Sequence, residues 1–347
     1  MPRQTPYSLP DIKDVDFVDI PEGEDVAAAY ENGYVGSAYS GEAEEQLQSA
    51  VEEDGGKFQM QDNASASGFS GQGAGKIILI HKEIEKIGWG AKIAYPNQAC
   101  GDCVSHGTAK AMGYTLVTGI TRGGKAKPET NGIENKMWPI SSESHYWYRA
   151  KSSDGWYASK SLEMSKKNTG IVIRADIKGA CDLRSYSKAT AHCYGSKAPP
   201  ADVKAQLDDN PVLTYSKCSS FEEICDALSA GYGVQTDGGE GFSKQCNDDG
   251  VAKRSGSWSH SMSVSGCIST PEFKAKYNTA GALLIQNSWG AFNKNSHSKV
   301  MGTDTGIPAG SFFALWEDIK KRSYYVVSNV TTWENRKLKS WSLDELI

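Results

Sequence analysis

The sequence predicts an α+β protein in which a helix-rich half precedes an antiparallel β half. Three observations predict it. The run from Cys103 to Val117 is rich in small residues and free of proline, which suits a buried helix. The stretch from Ser141 to Asn168 reads as two further helices capped by serines. Beyond Pro199-Pro200 the chain turns to short apolar runs separated by Gly and Asn, the pattern of strands and turns.

The chain has 347 residues, enough for one large or two medium domains with a sizeable core. Hydrophobic residues make up 39% and charged ones 23%, and no apolar run approaches the ~20 residues needed to cross a bilayer. A soluble protein with no membrane partner is therefore expected. The amino terminus lacks the apolar core of a secretory signal, so a cytoplasmic or virion-associated location is expected over classical export. The formal net charge of -5, with no basic run, argues against a nucleic-acid partner.

Residues 1–75 form an acidic arm and linker: 15 Asp or Glu stand against 3 Lys or Arg, a net of -12 that leaves +7 on the other 272 residues. One helix is predicted in the arm, from Glu42 to Glu53, with Ala43, Leu47, Ala50 and Val51 on a thin apolar face. Residues 55–75 are rich in Gly, Ser and Ala and read as a linker. Such an arm on a mildly basic body is expected to dock on a protein partner, or to fold back on the body itself. The main domain is placed at 76–325, with its helical part at about 98–200 and its β part at about 201–325, and 326–347 as a tail.

Within the body, Ile77 to Ile80 reads as a strand, and Ile93-Ala-Tyr-Pro-Asn97 ends in a turn. A helix is predicted around Phe221 to Leu228. Strands are predicted at Ser261–Ser265, Ala282–Ile285, Ser311–Leu315 and Tyr324–Ser328.

Three segments carry chemistry. In Asn97-Gln-Ala-Cys-Gly-Asp-Cys103 a thiol stands where a helix begins, and unpaired amides and the helix dipole there stabilise a thiolate. Cys103 is thus the candidate nucleophile. His260, in Trp258-Ser-His-Ser-Met-Ser-Val-Ser-Gly-Cys267, is the candidate base. Asn287, in Gln286-Asn-Ser-Trp-Gly290, has a side-chain oxygen suited to accept the imidazole N–H, with Trp289 shielding that bond from water. Cys100 and Cys103 lack the second Cys-x-x-Cys or His-x-x-x-His pair of a structural zinc site, so neither metal nor cofactor is expected.

These residues resemble the papain-like cysteine peptidases. The resemblance rests on Gln98, the Cys-Gly-x-Cys of 100–103, the Ser-His-x-Met-x-Val-x-Gly of 259–266 and the Asn-Ser-Trp-Gly of 287–290, in the family's order. It covers about residues 76–325. It implies a two-lobed fold, one lobe helical and the other barrel-like, with the active-site cleft between them. It further implies a Cys103 nucleophile, a His260 base and then acid, an Asn287 orienter, and Gln98 as an oxyanion-hole donor beside the Cys103 amide. The activity implied is hydrolysis of a peptide or protein substrate through a thioester acyl-enzyme.

The sequence departs from the family at several points. One residue is missing between Gln98 and the nucleophile, Val104 replaces an aromatic, and Asp102 replaces a small residue. The intervals of 157 residues from Cys103 to His260 and 27 from His260 to Asn287 imply insertions in the cleft loops. Other readings compete. A thioredoxin-like redox pair at Cys100 and Cys103 would leave the Asn-Ser-Trp-Gly segment without a role. A structural or binding component of a larger assembly, such as a virus particle, would use the arm as its anchor. His106, one turn after Cys103, is expected to pack behind the helix; His81, His145, His192 and His297 read as ordinary histidines. The cysteines at 181, 193, 218, 225, 246 and 267 read as buried thiols or bridges.

Overall fold

In the computed structural model the described residues are 71–83, 97–121, 140–146, 155, 158, 161–162, 172, 174, 176–177, 181–195, 200–209, 214–292, 299–301, 303–304, 306–307 and 310–328. The helix expected at Glu42–Glu53 and the expected tail lie outside them, apart from residues 326–328, which belong to the last strand.

In chain order the main elements are β1 (Ile77–Leu79), α1 (Cys103–Thr121), α2 (Glu143–Tyr146), α3 (Lys188–Gly195), α4 (Ala201–Asp209), β2 (Thr214–Cys218) and α5 (Phe221–Ser229). They continue with β3 (Gly233–Cys246), β4 (Ala252–Ile268), α6 (Pro271–Tyr277), β5 (Ala282–Gln286), β6 (Ser311–Leu315), α7 (Trp316–Ile319) and β7 (Ser323–Ser328). Among the described residues helices dominate before residue 210 and strands after it. The exceptions before it are β1, which joins the sheet, and a short ladder that pairs Asp176–Ile177 with Cys181–Asp182.

That sheet has seven antiparallel strands in the order β6-β5-β4-β3-β7-β2, with β1 pairing β4 from Ile77↔Ile268 to Leu79↔Gly266. It is open: β6 and β2 are its two ends and do not pair with each other, so the barrel-like lobe expected from the resemblance is a twisted, unclosed sheet. β4 is the spine, pairing β3 on one side and β5 on the other. The β4–β5 ladder runs from Ile268↔Ala282 to Ser263↔Gln286 and ends there, with a register shift at Gly266.

Two short helices show their sequence signals plainly. Ser220 caps α5 by accepting the Glu223 amide at 3.1 Å. Thr270 caps α6 ahead of Pro271, and Asn278 closes that helix with a left-handed φ of 48°.

α1 is buried along nearly its whole length, so it carries no polar face for solvent. Two glycines let it approach the sheet. A Cβ on Gly107 would stand 2.6 Å from Ser261 Oγ, and one on Gly233 of β3 only 2.0 Å from the Ala111 carbonyl oxygen. Polar side chains stitch the contact: Thr115 Oγ1 donates to Val327 O at 2.6 Å and accepts Gly233 N at 2.9 Å, while Thr108 Oγ1 donates to Gln235 Oε1 at 2.8 Å. The main apolar core joins α1 and α5 to β3, β4, β5 and β7. The helix that begins at Cys103 is thereby docked on β3 and on β4, the strand that carries His260.

The amino-terminal edge of the body is anchored by Asp226 and by Ser269, whose hydroxyl donates to Gly73 O at 3.2 Å and accepts Lys76 N at 3.0 Å. Gly71 N and Gly73 N each donate to Asp226 of α5 at 2.7 Å, one to each oxygen. Gly73 lies so close to Cys225 that a Cβ would meet its backbone at 2.3 Å.

Candidate active site

Cys103 is the first residue of α1, the dipole-favoured end for a thiolate, and no acidic residue follows in the first turn. Its sulfur faces β4, where the Ser261 amide donates to it at 3.4 Å. Ser261 directly follows His260. The His260 ring in turn lies 2.8 Å, Nε2 to Oδ1, from Asn287, the first residue past β5. Asn287 Oδ1 also accepts the Ser288 amide at 2.7 Å, which fixes the carboxamide's orientation. Three segments spread over the chain therefore meet where α1 touches the β4–β5 pair.

Aromatic rings enclose this junction. Trp289 stacks on His260 with centroids 4.4 Å apart and planes 24° apart. Trp258 meets Trp289 at 4.8 Å, and Phe292 meets both indoles at 5.1 and 5.5 Å. Cys103, His260 and Asn287 are each at most 1% exposed. Burial, foremost, holds the His260 pKa well below 6.5; the Asn287 bond opposes this, and Arg322, Lys110 and His106 reinforce it. Burial thus favours the uncharged imidazole.

Gln98 is 1% exposed and ties the segment before the nucleophile to the Asn287 loop. Its amide donates to Ser288 O at 2.8 Å, its Nε2 to Cys100 O at 3.0 Å, and its Oε1 accepts the Ser288 hydroxyl. Gln98 thus stands beside the site and braces its two halves.

Asp102 and His106 belong to a separate network behind α1. His106 Nε2 lies 3.3 Å from Asp102 Oδ2, which also accepts the Tyr186 hydroxyl at 3.0 Å, and Ser142 Oγ is 3.5 Å from the same nitrogen. Cys100 is a buried thiol 3.5 Å from the Tyr186 oxygen. Beneath this layer Glu143 and Arg174 form a buried ion pair at 2.9 Å, with further donors to Glu143 from Ser141 Oγ and Ser187 N. Burial alone would raise the Glu143 pKa, but Arg174, and after it the Glu143 backbone amide and the Ser141 hydroxyl, bring it below 4.5. His81 and His145 are buried, while His297 and the His192 side chain lie outside the described residues. Cys218, Cys225 and Cys267 are buried thiols.

Two residues at the site were not singled out in the sequence. Lys110, on α1, donates from Nζ to Asn287 O at 2.7 Å, and burial lowers its pKa to about 7. Arg322 donates from Nη2 to His260 O at 2.7 Å. Each is a basic residue in a helical or turn segment, where local pattern reads as solvent-facing. Among the described residues no group of three or more His, Cys, Asp or Glu side chains is placed to hold a metal ion, and no helix is long and apolar enough to cross a membrane.

No protein-family model matches the chain, and no curated protein is significantly similar in sequence. Solved structures are similar to it. Xylellain, a cysteine protease from Xylella fastidiosa, is 14% identical over 69% of this chain and 83% of its own, with a TM-score of 0.45. Digestive procathepsin L 3 from the larval midgut of Tenebrio molitor is 13% identical over 86% of each chain, with a TM-score of 0.44. The bromelain protease of Ananas comosus is 13% identical over 73% of this chain and 99% of its own, with a TM-score of 0.41.

Proposed function

We propose that this chain is a cysteine peptidase that hydrolyses peptide bonds through Cys103, His260 and Asn287. The observation that carries this reading is the junction itself: a thiol at a helix amino terminus turned toward the strand of a buried imidazole, whose far nitrogen is held 2.8 Å from a carboxamide oxygen. With Nε2–H donating to Asn287, the Nδ1 lone pair is left to take the thiol proton.

The steps then follow from the groups present. The Cys103 sulfur attacks the carbonyl carbon of the scissile amide as its proton passes to His260. The imidazolium returns that proton to the leaving amine, and the C–N bond breaks to leave a thioester. Water, deprotonated by His260, attacks the thioester and releases the acid and the thiol. Asn287 holds the ring in one tautomer throughout, and Trp289 keeps water from their bond. Gln98 is the side chain proposed to donate to the oxyanion, with the Cys103 amide.

The test is reaction of the full chain with a peptide-linked thiol electrophile, followed by mapping of the modified cysteine. The modification is expected at Cys103 and is expected to be lost in His260→Ala. Labelling spread over the other cysteines, at the rate of the denatured chain, would refute the reading.

A further inference from the structure

We propose that Lys110 and Arg322 are positioning residues of this site, two buried basic side chains that each donate to the main-chain carbonyl of one of the residues whose side chains must meet. The inference rests on the proposed thiol chemistry and adds to it a mechanism for keeping the base and its orienter in register.

The need for such a device comes from the sheet. His260 and Asn287 sit on neighbouring elements, yet both lie past the point where the β4–β5 ladder stops, at Ser263↔Gln286. Asn287 is the next residue after that end, and His260 lies three residues before Ser263. No ladder bond between β4 and β5 fixes their separation, although a 2.8 Å contact between Nε2 and Oδ1 depends on it.

The two side chains reach the pair from different elements, one to each residue. Lys110 reaches from the second turn of α1, 1% exposed, and places Nζ 2.7 Å from Asn287 O. The helix that presents the nucleophile therefore also grips the orienter's backbone. Arg322 comes from the turn before β7 and is 4% exposed, with Nη2 at 2.7 Å from His260 O. Its other nitrogens are used as well: Nε donates to Thr236 Oγ1 at 3.2 Å, and Nη1 contacts Glu240 Oε2 at 3.2 Å. The guanidinium is thereby fixed before it meets His260. Room for its stem comes from Gly238, the β3 residue paired with His260, where a Cβ would stand 2.6 Å from Arg322 Cγ. A buried basic group is costly to place unless its donors are used, and here each of the two residues uses one donor on a carbonyl of the candidate site.

The experiment compares the full chain with Lys110→Met, Arg322→Met and Arg322→Lys, each confirmed folded by circular dichroism. Saturable inactivation by a peptide-linked thiol electrophile gives an apparent binding constant and a limiting rate at Cys103. In Lys110→Met and Arg322→Met the limiting rate is expected to fall about 10- to 100-fold, the scale of a misplacement near 1 Å, while the binding constant stays within about twofold. Arg322→Lys, which keeps one donor, is expected to recover most of the lost rate. An unchanged limiting rate in the folded Met variants, or a loss carried wholly by the binding constant, would overturn the proposal. So would Arg322→Lys behaving as Arg322→Met does. If Lys110→Met does not fold, the two Arg322 variants decide the matter. A wild-type chain that fails to react at Cys103 would refute the peptidase reading instead. The clamp is then read from the imidazole proton resonance of His260: its loss in the folded Met variants supports the proposal, and its persistence overturns it.

Discussion

The Ser261 amide points at the sulfur of Cys103 across 3.4 Å, although the two residues are 158 positions apart. This contact exists because α1 lies directly on β4, and that closeness depends on Gly107. A Cβ there would stand 2.6 Å from Ser261 Oγ and 3.1 Å from Met262 O. Gly107→Ala should therefore lower stability by about 1–2 kcal/mol, since overpacking outweighs the roughly 1 kcal/mol that alanine gains in a helix. It should also slow labelling of Cys103. Thermal unfolding and labelling of the same preparation check both, and a stabilised variant that labels at the wild-type rate would contradict the close-approach argument.

Asn287→Ala should reduce turnover by about tenfold or more and leave measurable activity, because an orienting group assists the base and takes no proton itself. Full activity in that variant, measured with any peptide substrate the wild type cleaves, would remove Asn287 from the site.

Much of this site was legible in the sequence, and the reason is local. A proline-free run of small residues after Cys103 reads as a helix whatever surrounds it, and α1 begins at that residue. His260 falls on β4 just before the Ser261–Ser265 run that reads as a strand, and Asn287 directly follows the short apolar β5. β3 was missed, because Gly233–Cys246 carries Gly238, Gly239 and Gly241 with charged residues among them. Two of those glycines answer to partners outside their own strand: Arg322 packs over Gly238, and a Cβ on Gly241 would meet Ser255 O at 2.4 Å and Trp258 Nε1 at 2.8 Å. Lys110 was missed for the same reason. Its buried position is set by a carbonyl 177 residues away, which no local periodicity reports.

Acid stability should depend on His145. This residue of α2 is buried, with neither ring nitrogen hydrogen-bonded, and burial lowers its pKa to about 4. Because the unfolded chain takes up the proton near pH 6.5 and the native chain only near 4, stability is lost as pH falls through that interval. The loss is on the order of 3 kcal/mol for this group. His145→Leu gives up no hydrogen bond, so it should be at least as stable at pH 5 as the wild type and show a shallower fall between pH 6.5 and 4. Urea unfolding at both ends of the range measures this, and an unaltered pH slope would count against it.

Glu143→Gln should be among the most destabilising single changes, by about 3–5 kcal/mol, because it leaves the Arg174 guanidinium buried without a counter-charge. Glu143→Gln combined with Arg174→Met should recover part of that loss. A double variant no more stable than the single one would show that the pair matters through packing alone.

Asp226→Ala should free residues 71–75 from α5, since both of its oxygens are taken by amides of that segment. Limited proteolysis should then cut there sooner than in the wild type, with the body left intact. Equal cutting rates would mean that the Ser269 hydrogen bonds and the close contact of Gly73 with Cys225 suffice to hold the segment.

The way β4 and β5 share one ladder bears on the order in which the site comes into being. His260 and Asn287 are 27 residues apart and belong to strands joined through a short helix, so closing that loop costs little chain entropy. Cys103 must instead cross a far longer interval before α1 can seat on the strands. The imidazole and its carboxamide should therefore find each other early in folding, and the sulfur should arrive last. In pulse-labelled refolding, amides of β4 and β5 should gain protection before those of α1, and the nascent chain would be spared a competent thiol until the rest of the sheet is complete.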